Sequence, residues 1–427
     1  MMAKRQAKKI PHSSRLRFKI HRRQLPNGLV LLAVQNTTAP TLAVTCSLMV
    51  GRMEEPPEKA GISYLVGESL DEGTQRWTGD ELAALVEGYG GSLVTTGSGA
   101  AIRMAAEDAS LAVKILAEVI LRPTLPKDGV RRMRELALAE LQSERDEPRT
   151  VASLAFQHLV YGEHPYGRPS KGSLETMASL TPSQCRSFHK KWYLPSRAII
   201  AGSGDLEPEK LLDLLEKAFG SWKDKNSKPL GVKEPRELDG PVQENLFYPS
   251  NQVHIYLGHL GIKRTDSDFY KLLVMDHVLG TGPGFTSRIS RKLRDEQGLA
   301  YAVGASITHS AGIERGMFSA YIGTSPGQEK QAIDGFIREI QAIRREAPTR
   351  KEMEDVKAYL TGSFVWALER NSNLARFLVR MERFQYGDDY IQRYPEIIRA
   401  VSAKDVRQVA EKHLHPDRSV CLRLGPK

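Results

Sequence analysis

The strongest constraint on this chain is that its second half restates its first. Thr181-Pro-Ser-Gln-Cys-Arg recurs as Ser402-Ala-Lys-Asp-Val-Arg, and the segments that follow keep step. Pro195 and Pro416, Arg197 and Arg418, and Gly204 and Gly425 are all offset by 221 residues. Tyr161-Gly162 recurs as Tyr386-Gly387 at an offset of 225. Several pairs agreeing in order and offset mark a duplicated fold, because each repeat must satisfy the same packing problem. A chain of 427 residues is also too long for one ordinary core. The fold must therefore come in two similar halves.

Hydrophobic periodicity gives each half mixed content. Leu29–Val34, Leu42–Val50, Ser92–Thr96, Ala100–Ala105 and Ala198–Gly202 read as strands. Leu82–Tyr89, Asp108–Ile120, Lys127–Glu144, Val151–Val160, a Thr181-capped segment and Leu206–Phe219 read as helices. The period lapses from Lys223 to Pro241, a stretch rich in Lys, Pro, Gly and Glu that reads as a linker. It resumes with a strand at Val253–Leu257 and a helix at Asp266–Leu279. The expected organisation is a basic N-terminal arm over 1–23, a first domain over 24–222, the linker 223–241 and a second domain over 242–427.

The net charge of +10 belongs to one end. Residues 1–53 hold ten Lys and Arg and no acid, leaving 51 bases against 51 acids in the rest. Nucleic-acid binding asks for aromatic residues interleaved with the bases, and Phe18 alone stands before Gln24. The arm is expected to be solvated, with contact to an acidic partner or surface as the other reading. A secretory signal core is not visible, which points to the cytoplasm; an Arg-rich transit peptide is the alternative. No apolar run approaches the ~18 residues of a membrane span. Cys46, Cys185 and Cys421 are odd in number and far apart, the usage of buried free thiols in a reducing compartment.

Gly61 to Thr74 reads Gly-Ile-Ser-Tyr-Leu-Val-Gly-Glu-Ser-Leu-Asp-Glu-Gly-Thr. It resembles the zinc helix of the pitrilysin-like metallopeptidases, G-x-x-H-x-x-E-H-x-x-x-x-G-T, with the frame kept and the chemistry lost. A His pair at i, i+4 binds zinc from one helix face, and the intervening Glu is the base for a zinc-bound water. Here Tyr64, Gly67 and Glu68 stand at those three positions. A phenol of pKa ~10 is a poor zinc ligand at neutral pH, and glycine cannot be a base. Glu140 fits the third ligand, and one carboxylate does not hold catalytic zinc. Convergence of Glu68 and Glu140 on a hard cation is the remaining metal reading. No other His in the chain has zinc-protease spacing.

The resemblance extends through Gly90-Gly91, His164-Pro165-Tyr166-Gly167 and Leu180–Gly204, and into the second half. There a glycine-rich loop with Gly280, Gly282 and Gly284 leads to Arg294-Asp-Glu-Gln-Gly-Leu-Ala-Tyr301, the family's R-x-x-x-G-L-A-Y. The loop lacks the Lys-Ser/Thr of a phosphate loop. In catalytic assemblies of the family this Arg and Tyr reach the active site and bind the substrate backbone, donating to carbonyl oxygens. The family's Asn-Ala on the substrate-binding edge strand is replaced here by Val94-Thr95.

The resemblance implies an α+β fold of two homologous halves. Each would hold two related α+β units of mostly antiparallel sheet with helices on one side, closing as a clam-shell around a cavity. It also implies a non-catalytic, peptide-binding subunit that carries no metal. Arg294 and Tyr301 would act in trans with a paralogue whose intact H-x-x-E-H helix holds the zinc. The alternatives are a structural scaffold derived from a peptidase and an autonomous hydrolase with an unusual site.

Overall fold

The computed structural model describes residues 18–224, 230–282 and 286–427. The first half runs β1 (His21–Gln24), β2 (Val30–Gln35), β3 (Thr41–Leu48), α1 (Ile62–Gly67), α2 (Gly79–Gly88), β4 (Ser92–Thr96) and β5 (Gly99–Ala105). It continues through α3 (Ala109–Leu121), α4 (Lys127–Arg145), α5 (Pro148–Tyr161), α6 (Leu174–Ser179), α7 (Pro182–Trp192), β6 (Ala198–Gly204) and α8 (Pro208–Phe219). The second half runs β7 (Val242–Phe247), β8 (Val253–Leu260), α9 (Phe269–Leu279), a π-helical segment (Ser290–Glu296), β9 (Val303–Ser306) and β10 (Met317–Thr324). It closes with α10 (Glu329–Arg345), α11 (Arg350–Ala367), α12 (Asn371–Arg383), α13 (Tyr390–Ala400), α14 (Ala403–His413) and β11 (Val420–Gly425).

The repeat is visible in the strand order. The first sheet is β1-β2-β6-β3-β5-β4 and the second β7-β11-β8-β10-β9. Without β1, the two orders superimpose strand for strand. In each, one pair is parallel (β2 with β6, β7 with β11) and the rest antiparallel. The offset of 221 residues has a local cause. Thr181 and Ser402 cap α7 and α14 in the same way, each accepting from the N–H three residues on. Pro195–Arg197 and Pro416–Arg418 form the same short turn into β6 and β11. Each half builds one mostly antiparallel sheet with helices packed on it, in keeping with the expected α+β class and two homologous halves.

The halves also exchange helices. One face of the first sheet packs on its own α3 and α8, through Leu31, Val44, Leu116 and Leu212 among others. Its other face, with Leu32, Val34, Ile199 and Ala201, is covered by α12 of the second half through residues such as Leu374 and Leu378. Reciprocally, α5 of the first half covers the second sheet. Phe156 stacks on Tyr256 with ring centroids 5.3 Å apart, and Val160 joins Leu260, Leu422 and Leu424 in one core. Asn371 at the start of α12 donates to Thr41 O at 3.0 Å, and Tyr161 at the end of α5 donates to Arg315 O at 2.9 Å. Each sheet is thus buried on both faces only because the other half supplies a helix.

Arg22 and Arg23, expected on a solvated arm, lie in β1. Arg23 pairs with Glu209, Asp213 and Glu216 of α8, and Arg22 with Glu382 of α12. The bases from Lys4 to Arg17 lie outside the described residues, as does Gly284. Cys46 and Cys185 are buried and Cys421 half-buried, all unbridged. Among the described residues no helix is long and apolar enough to cross a membrane.

Candidate functional site

The degenerate helix is α1, and its surroundings explain which parts of its frame survive. Gly61 caps it in the left-handed region, φ +92°. Buried Glu55 accepts from the N–H groups of Gly61 and Ser63 at 2.9 Å each, placing a carboxylate where a helix N-terminus favours negative charge. A Cβ at Gly61 would fall 2.2 Å from the Lys171 carbonyl oxygen, so only glycine lets the 171–172 loop cross the helix start. Thr74 holds the turn after the helix, its Oγ1 accepting from the N–H groups of Arg76 and Trp77.

The zinc face carries a different arrangement. Tyr64 Oη donates to Glu140 Oε2 of α4 at 3.0 Å. Lys171 Nζ lies 2.6 Å from the same oxygen and 2.9 Å from Glu144 Oε1. The ammonium also sits 5.6 Å from the centre of the Tyr64 ring. Hydrogen bonds from Lys171 and then Tyr64 hold the Glu140 carboxyl below its usual range. Burial, with the bond to Glu140 second, pushes the Tyr64 phenol up to about 12, further from any ligating phenolate. Burial works against the charge of Lys171, but its bonds to Glu140 and Glu144 more than offset that, and its pKa is raised. Desolvation, followed by the nearby Asp71 and Glu140, raises the pKa of Glu68.

The position of the lost base is closed. A Cβ at Gly67 would lie 2.1 Å from both Thr96 C and Gly97 N, because the β4–β5 turn rests directly on α1. Real Cβ atoms do not approach backbone so closely, and no side chain fits there without moving the turn. The donor set fails for zinc on every count: a protonated phenol, no base, and a third-ligand carboxylate already neutralised by an ammonium. For a hard cation at Glu68 and Glu140, the Lys171 ammonium is a competitor already bonded to Glu140. Elsewhere among the described residues, Asp266, Asp268 and His413 come together. Asp268 is already paired with Lys412 at 2.7 Å and Lys271 at 3.1 Å.

Arg294 and Tyr301 are brought together at a different place. Arg294 is on the π-helical segment, and its guanidinium carbon is 5.7 Å from the centre of the Tyr301 ring. Tyr301 is 86% exposed, an unusual position for an aromatic side chain. The segment is anchored by Arg288, whose Nε and Nη2 reach the two oxygens of Glu352 at 2.7 and 3.0 Å. Gly280 rests against the Ala305 backbone and Gly282 against His277 and Ser287, where a Cβ has no room.

A cavity of about 900 Å³ opens between the first sheet and α12. β3, β4 and β5 form its floor and α12 its wall. Neither Arg294 nor Tyr301 lines it. Lys171, Glu144 and Glu55 were not signalled by sequence. They are ordinary charged residues in unremarkable contexts until the chain folds them against α1.

The duplicated halves and the exchanged helices define a peptidase-type α+β protein. Residues 30–172 match the family described as insulinase (peptidase family M16), and residues 179–360 match the peptidase M16 inactive domain. The chain belongs to peptidase family M16. It is 27% identical over 362 residues to an uncharacterized zinc protease, YmxG, of Bacillus subtilis, covering 84% of this chain and 87% of that one. It is 26% identical to an uncharacterized zinc protease of Streptomyces coelicolor, covering 95% and 90%. The same fold is seen in a crystal structure of a peptidase M16 inactive domain from Pseudomonas fluorescens, at TM-score 0.89 and 24% identity over 96% of this chain and 98% of that one. A protease from Helicobacter pylori matches at TM-score 0.87 and 20% identity, over 96% and 100%.

Proposed function

We propose that this chain is the non-catalytic, peptide-binding subunit of a two-chain zinc peptidase. One observation carries the reading: the face of α1 is filled by Lys171 and closed at Gly67, while Arg294 sits beside Tyr301, whose ring is presented outward. A paralogue with an intact zinc helix supplies the metal and the base. Arg294 and Tyr301 donate to carbonyl oxygens of an unfolded peptide held between the two chains, orienting it and favouring the developing oxyanion. A scaffold has no use for an exposed tyrosine hydroxyl beside an arginine.

The test is co-expression with an M16 paralogue that has the H-x-x-E-H helix, followed by assay on an unfolded peptide. Activity should need both chains. Arg294→Ala and Tyr301→Phe in this chain should each lower kcat/KM by about 10²-fold, the scale of losing a transition-state donor. Full activity in both variants would overturn the trans role. A stable complex with no activity on any peptide would make the chain a scaffold, and stoichiometric zinc bound to this chain alone would make it an autonomous hydrolase.

A further inference from the structure

The cavity between the first sheet and α12 is lined by arginines and has no acid to meet them. Arg103 projects from β5, and Arg376, Arg380 and Arg383 from α12. No Asp or Glu is among the described residues that line it. Arg376 donates to Asn373 at 2.6 Å and Arg383 to Ser47 Oγ at 2.8 Å, both neutral partners. The buried Nε of Arg383 has no hydrogen-bond partner among the described residues, and desolvation lowers the pKa of this guanidinium. Half-buried arginines elsewhere in the chain, such as Arg197, Arg288 and Arg423, meet carboxylates. Four arginines around one cavity are a site for negative charge.

The course of α12 divides that charge between two ends. Asn371, at the start of the helix, donates to Thr41 O at 3.0 Å, and Arg383, at its end, donates to Ser47. The helix therefore runs along β3 in the same direction. It rises about 18 Å from Asn371 to Arg383, and β3 extends about 20 Å from Thr41 to Ser47. Arg376 comes level with Ala43, whose cross-strand partner in β5 is Arg103. Arg383 lies about 10 Å further along the helix, beside Ser47 and its partner Gly99. Between the two ends the floor is Thr45, Ala101 and Val94, paired across β3, β5 and β4. Phe377 and Val379 add apolar wall, and Arg380 stands midway.

The strands under the Arg383 end offer no backbone partner. β3 is paired on both sides, with β5 and β6, and β5 with β3 and β4. Their N–H and C=O groups are committed to the sheet, so side chains alone recognise what lies there. A volume of about 900 Å³ is that of a small-molecule site.

We infer that the cavity binds a small organic dianion with an apolar body, one acidic group held by Arg103 and Arg376 and the other by Arg383. Arg380 lies against the body and adds charge between the ends. The site is independent of the peptide-binding reading, because neither the free edge of β4 nor Tyr301 takes part.

Isothermal titration calorimetry on the full chain tests it with decanedioate, decanoate, succinate and decanediamine. Decanedioate, long enough to reach both ends, should bind at least about tenfold more tightly than decanoate. Succinate is too short and the diamine has the wrong charge, so both should bind weakly. In Arg103→Ala/Arg376→Ala the affinity for decanedioate should fall to that for decanoate, which the remaining end still holds. Arg383→Gln should abolish the preference from the other end and Arg383→Lys should keep part of it, with melting curves confirming that the variants fold. Equal binding of decanedioate and decanoate by the parent chain overturns the two-ended site. Decanedioate binding that Arg103→Ala/Arg376→Ala leaves untouched lies elsewhere and overturns the assignment, as does binding of no probe. A polyglutamate peptide that binds more tightly than decanedioate and is lost in the same double variant gives the cavity to peptides and overturns the small-molecule class.

Discussion

Lys171 sets its ammonium 2.6 Å from Glu140 of α4, the carboxylate that the family resemblance would make a third zinc ligand. A cation is therefore still present beside that carboxylate, but it is an ammonium carried by the chain itself. Glu144 shares it at 2.9 Å, and Tyr64 donates to the same Glu140 oxygen. One ammonium thus serves a cluster of acids, Glu140 and Glu144 directly and Glu68 at longer range.

Removing the ammonium should therefore expose repulsion among acids. Glu140 is 52% exposed on its side chain, so solvent screens most of the pairing. Lys171→Met should cost only about 1 kcal/mol in denaturant unfolding. It should also let the Glu140 carboxyl titrate at higher pH, read by carbon-detected NMR. A cost above about 3 kcal/mol would mean the pair is a buried one.

Rebuilding the motif should fail for a steric reason. In Tyr64→His/Gly67→Glu/Glu68→His the new side chain at 67 meets the Thr96-Gly97 backbone. The triple variant should lose at least about 2 kcal/mol from overpacking and bind no stoichiometric zinc by elemental analysis. Zinc binding at unchanged stability would show that the β4–β5 turn yields.

The exchanged helices should make the halves unfold as one. Phe156 of α5 is fully buried against the second sheet. Phe156→Ala should cost about 3–5 kcal/mol and shift a single denaturant transition. Residues 1–222 expressed alone should be insoluble or molten, since Leu32, Val34, Ile199 and Ala201 would face water. Two separate transitions in the full chain would contradict this coupling.

Acid stability should depend on Glu352. Burial opposes its charge, but Arg288 and the Thr349 N–H more than offset that and hold the carboxyl at about 2. A carboxyl depressed below its unfolded value of about 4.3 contributes stability that is full above that pH and is lost as pH falls through the folded value. Glu352→Gln should therefore cost about 2–3 kcal/mol near neutral pH, and the gap to the parent protein should close between about pH 4.3 and pH 2. A gap that stays constant over that range would rule out the charge as the cause.

Thiol reactivity should follow burial. Desolvation pushes the thiols of Cys46 and Cys185 up, the latter to about 12, and Cys421 less far. A thiol-disulfide reagent should modify Cys421 alone in the native protein and all three thiols in denaturant.

Much of this was legible in the residues. The capping residues Thr181 and Ser402 and the turn prolines Pro195 and Pro416 revealed the repeat, because caps and turns are local chemistry that survives in the sequence. The absence of zinc ligands at 64, 67 and 68 was equally legible, since i, i+4 spacing alone determines a helix face. The end of the basic arm was misread, because Arg22 and Arg23 become strand residues through ion pairs with α8 and α12, distant partners that no local signal announces.

By itself the sequence determined the two similar α+β halves and the family to which they belong. Only the tertiary structure decided that Lys171 neutralises Glu140, that the β4–β5 turn closes the place of the missing base, and that Arg103 meets three arginines of α12 around one cavity. The reason is physical. Helix faces, caps and strand alternation depend on neighbours a few residues away, whereas a cavity's charge depends on which segments packing brings together after hundreds of residues of chain.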